Sequence, residues 1–132
     1  MNGNIGVISD GAGLGMLILD LVADSGGKTR VYCEMGNEIT AELMGKTLMV
    51  CLRVEGVKVL LIHLLGGANR MDEMAIGITT YLANHPAEIP ILVRMSGTNQ
   101  EQGRRMLADS GITVFDNPYE AVEKAVALSR TR

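Results

Sequence analysis

Apolar residues fall into two alternating kinds of block along this chain: short, nearly continuous runs, and longer stretches with helical three-to-four spacing. The first run, Asn4–Ser9, predicts a strand, and Leu14–Asp24 a helix. Ser25-Gly26-Gly27 closes that helix, because glycine accepts the left-handed conformation of a C-terminal cap. Thr29–Met35 is β-rich, and Thr40–Val54 is helical through Leu43, Thr47, Leu48 and Cys51, with Thr40 placed to cap it. Val57–Leu65 is apolar almost throughout, as expected of a central strand covered on both faces. Helix Met71–Asn84 follows and stops before Pro86. Pro90–Met95 and Ile112–Phe115 predict the last two strands. Gln100–Ser110 and Tyr119–Ser129 predict the last two helices, with Pro118 in the first turn of the second.

Five such strand–helix units with short connections predict one α/β domain: a doubly wound five-stranded parallel sheet with helices on both faces. Ligands of such sheets collect at the carboxyl ends of the strands. The turns there read "SDGAGLG", "MGNE", "LGGANRMD" and "SGTN". Three of them join a small, glycine-containing corner to a helix start, which leaves unpaired N–H groups and favours anions. The first helix, "LGMLILDLVA", is apolar nearly all round, which suggests a second apolar face turned to a partner.

Composition narrows the partners. The 132 residues carry a net charge of −3, which argues against nucleic acid, and only four aromatic residues (three Tyr, one Phe) to stack on bases. Nothing reads as a signal peptide or membrane span, so a cytoplasmic location is expected. Cys33 and Cys51 lie in apolar segments and form neither a disulfide framework nor a zinc signature.

The candidate binding residues are Asp10, Gly11 and Ala12 in the first corner, Gly66, Gly67, Ala68 and Asn69 in the second, and Gly97, Thr98 and Asn99 in the third. No catalytic or metal-ligating set stands out: His63 lies mid-strand among apolar neighbours, where a satisfied core histidine is expected, and His85 beside Pro86 reads as a loop residue. Gly11 and Gly13 fit the dinucleotide pattern G-x-G-x-x-G, with Glu34 placed to hold a ribose. The third glycine position, which lets helix and strand pack closely, is Met16. Dinucleotide binding is therefore a weak alternative.

Taken together, the segments "GNIGVISDGAGLGMLILDLVADSGGKT", "VKVLLIHLLGGANRMDEMAIGI" and "PILVRMSGTNQEQGRRMLADSGI" resemble the carboxy-terminal domain of the succinyl-CoA synthetase β subunit and related ADP-forming acyl-CoA synthetases. The resemblance runs from Gly3 to the last helix. It implies a flavodoxin-like fold for residues 1–132, with the family's ATP-grasp domain absent. It also implies an α-type CoA-binding partner carrying the phosphorylated histidine, and an ATP-grasp domain or chain; a homo-oligomer is a further option. CoA, ATP or GTP and Mg²⁺ are implied for the complete complex, none bound by this chain alone.

By the same resemblance, the helix start after Gly66-Gly67 faces phosphate, and the loop Gly67, Ala68, Asn69 receives the carboxylate substrate. This chain departs from the family pattern at several of these positions. Asp10 stands where the family has a substrate-contacting asparagine, Ser96 where it has glutamate, and the turn after the second strand, "CEMGNEIT", lacks the family's triple glycine. Asp10, Glu34 and Glu38 near the crevice keep a second expectation open, a non-catalytic interaction module derived from the ligase domain. A carboxylate facing a carboxylate is unfavourable, so Asp10 implies weakened or changed substrate choice relative to succinate.

Overall fold

Strands and helices alternate throughout the computed structural model, which describes residues 3–36, 39–66 and 69–130. In chain order they are β1 (Ile5–Ser9), α1 (Ala12–Asp24), β2 (Thr29–Glu34), α2 (Ala41–Leu52), β3 (Val59–Gly66), α3 (Met71–Asn84), β4 (Ile91–Gly97), α4 (Gln100–Asp109), β5 (Thr113–Phe115) and α5 (Pro118–Ser129). The sheet has the order β2-β1-β3-β4-β5, and every pairing is parallel. This is the flavodoxin-like order, whose switch point lies between β1 and β3.

The element boundaries follow local chemistry. Thr40 Oγ1 accepts from the Leu43 N–H at 3.1 Å and starts α2 as its sequence suggests. Asn117 caps α5 through the Tyr119 N–H at 2.8 Å, with Pro118 in the first turn. Gly26, at φ 84°, supplies the left-handed residue that closes α1. The boundaries agree with the sequence expectation to within two residues, and two of the differences have a clear local cause. Helix α1 begins two residues early, because extended Gly11 precedes it and its carbonyl already accepts from the Gly15 N–H at 2.9 Å. Strand β4 runs on to Gly97, because Ser96 and Gly97 still pair with Leu65 and Gly66 of β3.

Two cores flank the sheet. Ile8, Leu60, Ile62, Leu64, Val93 and Met95 pack against α2, α3 and α4. Ile5, Val7, Val59, Leu61 and Leu92 pack against α1 and α5. Met71, Met74 and Met95 are fully buried and fill the core under α2, α3 and α4, whereas Met16 and Leu17 on α1 are 66% and 43% exposed. The outward apolar positions read from α1 therefore do reach the surface.

Candidate functional site

The parallel sheet brings the corners after β1, β3 and β4 side by side along one edge. Ser9 pairs with His63, and Gly66 with Gly97. Gly97 has φ 144°, and a Cβ there would collide with the Gly66 carbonyl, so the ends of β3 and β4 need glycine to approach this closely. Gln100 Oε1 accepts from the Gly97 N–H at 2.9 Å and fixes the β4–α4 turn. Asn99 enters α4 in the left-handed conformation, with no capping bond from its side chain. Its amide instead donates to Asp72 Oδ1 at 3.3 Å. The Met71 N–H donates to the Thr98 carbonyl at 2.8 Å, joining the third corner to the start of α3.

Asp10 spans the switch point. It is 4% exposed, and both carboxylate oxygens lie 3.2 Å from the Leu65 N–H of β3. The Asn69 side chain, 5% exposed, hydrogen-bonds to the same carboxylate while its Oδ1 accepts from the Ile39 N–H at 3.0 Å. One network thus ties the end of β1, the end of β3, the start of α3 and the approach to α2. Burial pushes the Asp10 carboxyl above its ordinary range, although these hydrogen bonds and the distant Arg94 charge oppose it. The Asp10 charge is turned inward on this network.

Arg70 precedes α3, and its side chain makes no capping bond to the helix N-terminus. It pairs with Asp72 at 2.8 Å, and Glu73 Oε1 accepts from the Ala41 N–H of α2 at 3.2 Å. Both acidic side chains of the first turn are thereby engaged with donors. Gly67 and Ala68 lie outside the described residues, as does Glu38. Gly11 closes a tight local turn, receiving from and donating through Ser9: its N–H lies 3.3 Å from Ser9 Oγ, which donates to the Gly11 carbonyl at 2.9 Å. Ala12 opens α1.

The dinucleotide comparison acquires a physical explanation. Met16 faces outward, and the close helix–strand approach is made one residue earlier, at Gly15, where a Cβ would overlap the Tyr32 hydroxyl. Glu34 is the exposed last residue of β2. Among the described residues, no group of three His, Cys, Asp or Glu side chains could hold a metal. A groove of about 400 Å³ between α2 and α3, lined by Gly45, Met49, Gly77 and Tyr81, is separate from these corners.

Sequence reasoning did not find the row beneath the crevice. Ser9, His63 and Arg94 lie on one rung of β1, β3 and β4, on the α1–α5 face. His63 is buried as expected, at 1% exposure, but it is not satisfied: neither ring nitrogen has a hydrogen-bond partner among the described residues. Burial, with the Arg94 charge beside it, pushes the imidazole down to about 4, so it is neutral at pH 7. Arg94 Nε donates to the Asp116 carbonyl at 2.9 Å, while Nη1 is buried without a partner among the described residues. The only sequence signal for this row was a histidine and an arginine inside otherwise apolar runs.

With this geometry in view, the family model and the curated relatives agree on one family. Residues 8–128 match the family model described as CoA-ligase, and the chain belongs to that family. It is 40% identical over 131 residues to the β subunit of ADP-forming succinate–CoA ligase from Pyrobaculum arsenaticum, covering 98% of this chain and 34% of that one. It is 38% identical over 132 residues to a probable malate–CoA ligase β subunit from Mesorhizobium japonicum, with the same coverage of 98% and 34%. The chain thus spans about a third of the length of the curated relatives it matches.

The crystal structure of PH0766 from Pyrococcus horikoshii OT3 shares the fold, with a TM-score of 0.83 at 19% identity, over 97% of this chain and 36% of that one. The N-terminal receiver domain of NTRC shares it more loosely, at a TM-score of 0.51 and 16% identity over 99% of both chains. The resemblance read from the corners holds, and neither the dinucleotide nor the interaction-module alternative is favoured.

Proposed function

We propose that this chain acts as the carboxy-terminal domain, or a free-standing equivalent, of the β subunit of an ADP-forming acid–CoA ligase. Family membership over residues 8–128 is the observation that carries this reading. The start of α3 beside the switch point supports it, because the helix dipole there suits a phosphate or acyl phosphate. In this reading Gly66, Gly67, Ala68 and Asn69 form the receiving loop. Asp10, Gly11 and Ala12 wall one side, and Gly97, Thr98 and Asn99 the other.

The chain's role is to bind and orient. An α-type subunit supplies CoA binding and the group that carries phosphate, and an ATP-grasp segment supplies nucleotide and Mg²⁺ binding, in the cytoplasm. When bound, the nucleotide would supply the phosphate that activates the acid as an acyl phosphate, from which the CoA thiol would take the acyl group with release of phosphate. The relatives' names point to a small dicarboxylic acid as substrate.

Reconstitution tests this directly. The chain is mixed with an α-type CoA-binding subunit and an ATP-grasp segment, then given Mg-ATP, CoA and succinate or malate, and thioester is followed by chromatography. Thioester is expected only in the complete mixture. Thioester from this chain alone, or equal thioester when the chain is omitted, would overturn the proposal.

A further inference from the structure

Cys33, near the carboxyl end of β2, and Cys51, in the last turn of α2, are separated by 18 residues in sequence, yet their sulfurs lie 3.2 Å apart. Both are free thiols. Bonded sulfurs sit about 2.0 Å apart, so a movement of little more than ~1 Å would join them. The two differ in access. Cys51 is fully buried in the α2–α3–α4 core, whereas Cys33 is half-buried. Cys33 also opens onto a surface groove of about 310 Å³ lined by Glu34, Met35, Leu43, Lys46 and Thr47. One thiol can meet a small solute, and the other waits directly behind it.

We propose that Cys33 and Cys51 form an oxidisable dithiol, a modification site for hydrogen peroxide, with Cys33 oxidised first and Cys51 resolving. In the first step the Cys33 sulfur attacks one peroxide oxygen, and the O–O bond breaks. Cys33 becomes a sulfenic acid, and water leaves carrying the thiol proton. In the second step the Cys51 sulfur attacks the Cys33 sulfur. The S–S bond forms, the S–O bond breaks, and a second water leaves with the Cys51 proton. Two thiols and one peroxide thus give one disulfide and two waters, with the peroxide reduced by two electrons.

The bond would pin β2, which pairs only with β1 among the described residues, to the helix that covers it. Its effect reaches the crevice edge, because the Met35 N–H, two residues beyond Cys33, donates to the Ser9 carbonyl at 2.9 Å. Burial raises the Cys51 thiol well above its ordinary range, with the Cys33 sulfur adding to the shift. Cys51 therefore stays protonated and unreactive toward peroxide, and the more accessible Cys33 is the thiol oxidised first.

This inference is independent of ligase activity, and so is its test. The full chain is reduced, treated with hydrogen peroxide, alkylated and analysed by intact mass and peptide mapping. The expected result is a monomer lighter by two hydrogens, a cross-linked Cys33–Cys51 peptide and protection of both thiols from alkylation, all reversed by dithiothreitol. The oxidised chain should melt about 5–10 °C higher than the reduced one, from closure of an 18-residue loop. In Cys51→Ala, peroxide should leave a Cys33 sulfenic acid that dimedone traps and that proceeds to sulfinic acid. Alkylation of both thiols as fast as in untreated protein, or a disulfide between two chains, would overturn the proposal. So would overoxidation of Cys33 in the unsubstituted chain without a cross-link.

Discussion

On the face covered by α2, α3 and α4, the apolar rows of the sheet continue to the crevice: Ile62 leads to Leu64, with Met71 and Met95 beside it, all fully buried. On the face covered by α1 and α5, Leu61 gives way to His63, with Ser9 and Arg94 on the neighbouring strands of the same rung. One face therefore ends in a close-packed core, and the other in buried polar groups whose hydrogen-bonding capacity is only partly used. The difference teaches where this fold holds its stability and where it has accepted a cost. Dispersion and burial stabilise the first face up to its edge. Desolvated polar atoms with no partner weaken the second.

Removing contacts from the dry face should give the largest effect. Leu64→Ala deletes a fully buried side chain on β3 and should destabilise the domain by about 3 kcal/mol in urea unfolding. A loss below ~1 kcal/mol would mean that the methionines around it refill the space and that this core is not close-packed.

A change of opposite sign is expected on the polar face. His63→Leu removes two buried, unpartnered nitrogens and should stabilise by about 1–2 kcal/mol at neutral pH. It should also flatten the pH dependence. The folded imidazole lies at about 4, below its ordinary 6.5, so between these values the unfolded chain binds more protons. His63 therefore leaves stability intact above pH 6.5 and removes it as pH falls towards 4, by at most about 3 kcal/mol. An unchanged pH slope in His63→Leu would assign that slope to other groups.

The smallest effect concerns the junction of the two faces. Asp10→Asn keeps an acceptor for the Leu65 N–H but removes a buried charge, and should stabilise by about 1 kcal/mol at pH 7. Because the folded Asp10 carboxyl lies above its ordinary value, the cost of ionising it is present at neutral pH and fades as pH falls towards 3.8. The advantage of Asp10→Asn should fade with it. Destabilisation at pH 7 would show that the Asn69 network needs the carboxylate itself.

The order of ten elements was legible in the sequence because each strand and helix repeats its burial locally, at a period of two or as a continuous run for strands and 3.6 for helices. Even the cap at Thr40 and the glycine closing α1 could be read, since the groups they serve lie within four residues. The glycine corners were legible as a set for the same reason. The bonds that give the crevice its shape were not. Asp10 meets Leu65 across 55 residues, Asn69 meets Ile39 across 30, and Cys33 meets Cys51 across 18. No periodicity records these partnerships.

By itself, then, the sequence determined the alternation, the parallel sheet, the membership of a ligase family and the edge at which its corners gather. The tertiary structure decided what each corner does with its polar groups. Strand order and register placed Asp10 over the β1–β3 junction, turned its charge onto a backbone N–H, and set His63 beside Arg94 beneath it. Burial and hydrogen bonding between distant segments exist only once the sheet has closed, and they fix the charge and reach of each side chain in the crevice.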